Sequence, residues 1–480
     1  MKEEKVSKNL PHKQIIINIS EKLEDRSDWI IYKVPKKLRA RHEEAYTPQL
    51  VSIGPFHHGE SSLKAMEHYK AKCMNDFLGR YGITMKKLMG KFEKDECKLV
   101  KEIQRSYGDE SFEPENKQEY LTDLIPMILQ DACFILELFH KKYYYNKYNR
   151  GDYKLSPWVE AAIKQDLILL ENQIPFIVLT QLFECIGEPL DFLIEITFEF
   201  FIDYYRFGKP CTKEGSKKKH LCKYPEKEQL VNKMKHIRHF TDLVRKFICD
   251  DTVRFPDSDK DVTHCLYSAK QLNNAGVMFS CPEDGKYLAS IETWPDEGCQ
   301  WWKGRGCCWI SCLELKIPQL KVQDNTECIF RNVMALEQFS YPNEPRVCNY
   351  IFLLDQLIDT VEDVDLLVDK KIIENWLGTN KDVADLVNKL CDQIVTPCFF
   401  YDKICGKLNE HHEKKLNVAR STLKRVYFKD IWTGSGTVVG LVFLVFSLFS
   451  TYSTIKNLFF VGGKNMTISQ LDKVSSVLPY

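Results

Sequence analysis

A chain of 480 residues exceeds what one simple core accommodates, so two or three packed units are expected. Its 67 basic and 67 acidic side chains cancel, which removes any global electrostatic pull toward nucleic acid. A hydrophobic content of 44% excludes a disordered chain, and 18 cysteines without a repeating frame point to a reduced, intracellular setting.

The first ten residues, "MKEEKVSKNL", are charged and lack the apolar core of a signal peptide, and "QIIINI" is too short to supply one. Residues 1–28 therefore read as a cytosolic N-terminal extension with a short helix. The stretch "SIGPFHHG" follows, with Gly54, Pro55, His57 and His58 in close succession. Adjacent side chains on an extended segment point to opposite faces, so His57 and His58 do not readily chelate one ion. The glycines and proline predict a turn in which the imidazoles cap backbone groups.

Helical periodicity dominates residues 29–250. Ser61 to Leu78 places Leu63, Met66, Tyr69, Cys73 and Phe77 near one face, with Ser61 or Ser62 as the cap. Leu124 to Phe139 is apolar almost all round and should be central. Asp131 and Glu137 interrupt it, six residues apart and so on different faces. The apolar run from Trp158 to Glu184 carries Asp166, Glu171, Asn172 and Gln173, then Pro175, which predicts a kink or a helix end. Buried charges need partners, so a hydrogen-bonded network tying the two helices is expected. A paired-carboxylate hydrolase would use the same residue types. Arg206 to Lys227, rich in Lys, Gly and Pro, reads as an exposed loop.

Residues 251–430 change character. Short β-type segments lie between turn signals from Val277 to Leu320, and "LELKIPQL" alternates Leu313, Leu315 and Ile317 with Glu314 and Lys316. Helical patterns return from Asn325 to Leu390. Cys299, Cys307, Cys308 and Cys312 lack the paired spacing of structural zinc and read as a free-thiol cluster among tryptophans. No internal repeat stands out, and nucleotide-binding loops, the kinase signature set, the hydrolase elbow and zinc-protease spacings are all missing. No cofactor is implied.

The strongest physical signal is residues 431–455, "IWTGSGTVVGLVFLVFSLFSTYSTI", without a charge. At 1.5 Å per residue such a helix covers about 35–40 Å, enough for a hydrocarbon core of about 30 Å. Trp432 and Tyr452 stand near its ends, where amphipathic rings favour the headgroup layer. Lys414, Lys415, Arg420, Lys424, Arg425 and Lys429 precede it; only Lys456, Lys464 and Lys473 follow. That asymmetry places the bulk of the chain in the cytosol and residues 456–480, with the glycosylation acceptor Asn465, on the far side.

These stretches together resemble the plant domain of unknown function 247 family, also called uncharacterised protein family 0481. The resemblance rests on "YTPQLVSIGPFHHG", "MEHYKAKCMNDFL", "ILQDACFILEL", "DLILLENQIPFIVL", "HFTDLVRKF", "AKQLNNAGVMF", "NVMALEQ" and "LIDTVEDVDLL", followed by the apolar terminus. Ala132 departs from a frequent Gly, and "SAKQL" replaces a common Thr-Glu pair. The family has no established catalytic residues. Some grass members are implicated in self-incompatibility with small partner proteins, which implies recognition or signalling at a membrane.

The expected architecture is mainly α with a small β element (α+β): a helical cytosolic body and one C-terminal transmembrane helix. The expected function is that of a single-pass, tail-anchored interaction module at the plasma membrane, with the endoplasmic reticulum as the alternative. Its partners would be the lipid bilayer and small proteins, not nucleic acid. Two rivals are a membrane-tethered hydrolase using Asp131, Glu137, Asp166 or Glu171 with His57, and a purely structural membrane scaffold.

Overall fold

A computed structural model describes residues 30–94, 99–108, 123–149, 153–205, 236–250, 253, 266–282, 287–294, 313–392, 394–396, 398–414 and 431–462. The N-terminal extension, the basic loop at 206–227, the cysteine-rich segment at 299–312, Asn465 and the basic flank at 415–429 lie outside them, as does the side chain of Trp432. Two compact units are distinguished: one built from chain up to Lys270 and from Met278 to Asn409, the other from Gln271–Val277 and the chain from Glu410 onward.

The first unit is mostly helical. Its elements are α1 (Lys64–Tyr81), α2 (Met85–Lys94), α3 (Leu99–Ser106), α4 (Ile125–Tyr148), α5 (Pro157–Asp166), α6 (Phe176–Ile186), α7 (Leu190–Phe200) and α8 (Phe240–Ile248). After the β segments come α9 (Thr326–Ser340), α10 (Arg346–Leu357), α11 (Val361–Asp369), α12 (Asn380–Leu390) and α13 (Asp402–Glu413). The strands are short: β1 (Ile31–Tyr32) pairs in parallel with β2 (Tyr107–Gly108), and β6 (Leu320–Val322) with β7 (Ile373–Asn375). β3 (Met278–Ser280), β4 (Glu292–Trp294) and β5 (Glu314–Lys316) form a sheet in the order β3-β5-β4. Leu315 is buried and Glu314 and Lys316 half-buried, the alternation expected of that strand.

α4 is the central helix. Most side chains from Ile125 to Phe139 are buried, and α1 runs alongside it. Phe139 stacks on Phe200 of α7 at 4.4 Å and meets Phe201 and Phe240 edge-on at 5.7 Å, so three separate stretches of sequence share one aromatic cluster. Leu63, Cys73 and Phe77 are buried on the predicted face of α1. The serines do not cap it: Ser61–Leu63 form a 3₁₀ turn behind Glu60, which leads directly into the helix.

Pro175 also differs from expectation. α5 ends at Asp166, and the next eight residues are buried but not helical. Pro175 then stands as the N-cap of α6, where its missing N–H costs nothing.

The C-terminal helix, α14 (Ile431–Gly462), is longer than the apolar run predicted from sequence. Its most apolar stretch, Val438–Lys456, contains no buried residue. It is one helix long and apolar enough to cross a membrane, by length and composition.

A buried ion pair joins α8 to α9. Arg245 Nε donates to Glu337 Oε1 at 2.7 Å, and both side chains are almost wholly buried. Glu337 Oε2 accepts from the backbone N–H groups of Val347 and Cys348 at 2.8 and 2.9 Å, anchoring the first turn of α10. Removing one partner strands the other charge and two amides. Glu337→Ala is expected to destabilise the body by about 3–5 kcal/mol, read as a lowered urea midpoint of detergent-solubilised protein, with Glu337→Gln retaining part of the loss.

Candidate functional site

Most of the buried polar residues singled out in the sequence, Asp131, Asp166, Glu171 and Asn172, hold an N-terminal strap against the helices. The strap runs from Ile31 to Glu60, and its backbone between Gln49 and Gly54 forms no helix or strand. Buried N–H groups in such a segment must find acceptors elsewhere. Asp166, at the end of α5, accepts from the N–H groups of Gln49, Leu50 and Val51 at 2.9, 2.7 and 2.8 Å. Asn172 accepts from Ile53 N–H at 2.7 Å and returns its own N–H to the carbonyls of Val51 and Asp166 at 3.0 and 2.9 Å. Asp131 of α4 accepts from Gly54 N–H at 2.8 Å. Successive residues of the strap thus read out side chains from two different parts of the fold.

Lys70 completes this arrangement from α1. Its ammonium lies 2.5 Å from Asp131 Oδ1, donates to Ser52 O at 2.8 Å and pairs with Glu67 at 2.8 Å. Burial works against its charge, but the carboxylates of Asp131 and Glu67 outweigh it and raise its pKa. For Asp166 burial dominates, lifting its pKa against the pull of three amide donors.

Glu171 holds the earlier part of the strap. It accepts from Val34 N–H at 2.7 Å and pairs with Arg39 at 2.5 Å. His57 stands between two acids, Nδ1 at 2.7 Å from Glu60 and Nε2 at 3.4 Å from Glu171. Burial lowers its basicity, yet hydrogen bonds to Glu171 and Glu60 prevail and its pKa is raised. The imidazoles therefore do not cap backbone as the turn reading predicts: His57 is buried between carboxylates, and His58 is exposed. Gln173 braces its own segment, donating to Leu167 O and Leu169 O at 2.6 and 2.8 Å and accepting from Phe240 N–H at 2.9 Å.

Gly54 has φ of +72°, and a Cβ there would lie 2.3 Å from the carbonyl oxygen of Gln173. That carbonyl already accepts from the Tyr107 hydroxyl at 3.1 Å. Pro55 follows, half-buried, at the corner where the strap turns.

Glu137 belongs elsewhere. It binds Arg80 of α1 at 2.7 Å and Lys141 at 3.3 Å. Helical spacing puts Asp131 and Glu137 on different faces, yet both engage α1, because the long Lys70 and Arg80 side chains reach around to them. The expected network tying the two helices to each other is not what forms: Asp131 and Glu137 pair with α1, whereas Asp166, Asn172 and Glu171 bind the strap.

The four acids of the hydrolase reading are thus engaged by separate partners. Only Glu171 lies beside His57. Among the described residues, no three His, Cys, Asp or Glu side chains gather as a metal shell. Sequence reasoning misses Lys70, although its position on the Met66–Cys73–Phe77 face is readable as a lysine aimed inward. It misses Asn332 too. That residue accepts from Leu170 N–H at 2.9 Å and donates to Ala45 O at 2.7 Å, joining α9 to strap and segment together.

The described residues define a mainly helical protein with a side-chain-bound N-terminal strap and an apolar C-terminal helix. The family model described as DUF247, plant protein of unknown function, matches residues 31–446, and the chain belongs to that family. It is 28% identical to a UPF0481 protein of Arabidopsis thaliana over 445 residues, covering 84% of this chain and 81% of that protein. A second Arabidopsis UPF0481 protein is 22% identical over 482 residues, covering 84% of this chain and 85% of that one. No solved structure matches.

Two outcomes test the strap. Gly59, at φ +83° with open space around it, bears only the backbone cost of a Cβ, about 1–2 kcal/mol. Gly54→Ala adds a steric overlap and is expected to cost clearly more than Gly59→Ala in parallel denaturant melts. The pH dependence has a sign. Because the folded pKa of His57 is raised, its contribution is full below the unfolded value of about 6.5 and is lost as pH rises through the folded value. His239 is buried and depressed to about 4, so its contribution is full above about 6.5 and lost as pH falls toward 4. His57→Asn should flatten the alkaline limb of a stability–pH curve and leave the acid limb in place.

Proposed function

We propose that the chain is a single-pass membrane protein whose cytosolic body is a recognition or signalling module. The observation that carries this reading is α14: it extends through 32 residues, and none of its apolar stretch Val438–Lys456 is buried among the described residues. A soluble fold would bury such a surface, whereas a bilayer satisfies it without further contacts. The excess of Lys and Arg before the helix favours a cytosolic body, with the plasma membrane as its location and the endoplasmic reticulum as the alternative.

The engagement of the buried polar groups supports a binding role over a catalytic one. Asp166, Asn172 and Gln173 bind backbone groups, and Asp131 is divided between Gly54 N–H and the Lys70 ammonium. Recognition of small proteins, including the self-incompatibility role implied by the family resemblance, would then fall to exposed surfaces and loops, which vary without disturbing the strap.

Membrane attachment is tested by washing isolated membranes at alkaline pH: the protein should stay in the pellet until detergent is added. A mass shift on peptide-N-glycosidase treatment should trace to Asn465 and never to the Asn18-Ile19-Ser20 sequon of the N-terminal extension. Release into the alkaline wash, or glycan on Asn18, overturns the anchor or its orientation. For the recognition role, proximity labelling from the full chain should enrich a reproducible set of proteins over a control carrying residues 431–480 alone. An identical set from both overturns it.

A further inference from the structure

The C-terminal end of α4 leaves an aromatic rim exposed on the helical body. Tyr144, Tyr145 and Tyr148 are all exposed there, Tyr148 by 53%, and Trp158 in the first turn of α5 is exposed by 72%. Tyr144 and Tyr148 stack at 5.6 Å. Tyr145 packs on Tyr153 at 5.8 Å, and the Tyr153 hydroxyl donates to Glu160 of α5 at 2.8 Å. Lys142 also bridges to Glu160 at 2.7 Å, so the α5 turn bearing Trp158 is clamped beside the end of α4. Lys147 stands over the Tyr143 and Tyr148 rings at 4.7 and 5.6 Å.

We infer that this rim rests in the headgroup layer of the bilayer that carries α14. The inference rests on the membrane attachment proposed above. Residues 415–430 separate the body from α14, and a fully extended chain of that length spans about 55 Å at most. The body is therefore confined to the neighbourhood of the bilayer. The segment carries Lys415, Arg420, Lys424, Arg425 and Lys429, which draw it toward an anionic leaflet.

The rim has the chemistry of that layer. Tyr and Trp present an apolar ring with a polar tip, and both partition to the boundary between headgroups and hydrocarbon. No Leu, Ile or Phe accompanies them at the end of α4, so the contact is shallow. Of the nearby acids, Glu160 is paired with Lys142 and Lys164, while Glu195 and Glu199 accept from the Tyr143 hydroxyl and the Asn146 amide.

The test uses the full chain reconstituted in phosphatidylcholine–phosphatidylserine vesicles with bromine on the acyl carbons nearest the headgroup. Tryptophan quenching is compared between wild type and Trp158→Phe, the substituted residue being exposed and outside the core. Wild type should lose more fluorescence than Trp158→Phe, and Tyr145→Ser/Tyr148→Ser with Trp158 intact should lose that excess. Equal quenching in wild type and Trp158→Phe overturns the inference while leaving the anchor standing, because Trp432 still reports insertion. No quenching in either variant means that the attachment itself has failed. If aqueous iodide cannot reach Trp158 and bromolipid does not quench it, a protein covers the rim, and the lipid assignment is wrong.

Discussion

Everything in the body depends on how one buried stretch of backbone satisfies its hydrogen bonds. Between Val51 and Gly54 the chain passes through the interior as neither helix nor strand, so its N–H groups cannot pair within a regular element. Asp166, Asn172 and Asp131 supply acceptors at the required positions, and Lys70 neutralises the carboxylate at the far end. An unpaired donor in such a place costs about 1–3 kcal/mol, so several together exceed what a marginally stable domain can lose. The polar residues of "LLENQIPF" and the turn of "SIGPFHHG" are two halves of one device.

The same logic recurs further along the chain. Tyr32 donates to the carbonyls of Ala335 and Leu336 at 3.0 and 3.1 Å, and Asn332 reaches back to Ala45. Glu337 joins α8 to the start of α10, and Asp363 accepts from Ser268, from Lys270 N–H and from its own capping box. Residues on both sides of position 250 thus lie in one compact unit, knitted by buried polar side chains as well as apolar packing. Such a body has its specificity written into the interior. Its surfaces and loops remain open to variation.

The body is carried on the same chain as a helix long and apolar enough to cross a membrane. The strap is held by Asp166, Asn172 and Asp131, and the end of α4 exposes Tyr144, Tyr145 and Tyr148. Neither feature requires a reacting centre. His57 and Glu171 lie side by side, but Arg39, Val34 and Glu60 already claim them.

Much of this was legible from one dimension. Periodicity placed Leu63, Cys73 and Phe77 on a buried face, the all-apolar run marked α4 as central, and alternation located β5, because these signals depend only on near neighbours in the chain. The charge-free terminal run likewise announced a helix long enough for a bilayer. What tertiary structure alone decided was the partner of each polar residue. Asp166 meets residues more than a hundred positions away, Lys70 reaches Asp131, and His57 comes beside Glu171. Local propensity cannot encode such pairings, since the acceptor a buried amide finds is set by the packing of distant helices.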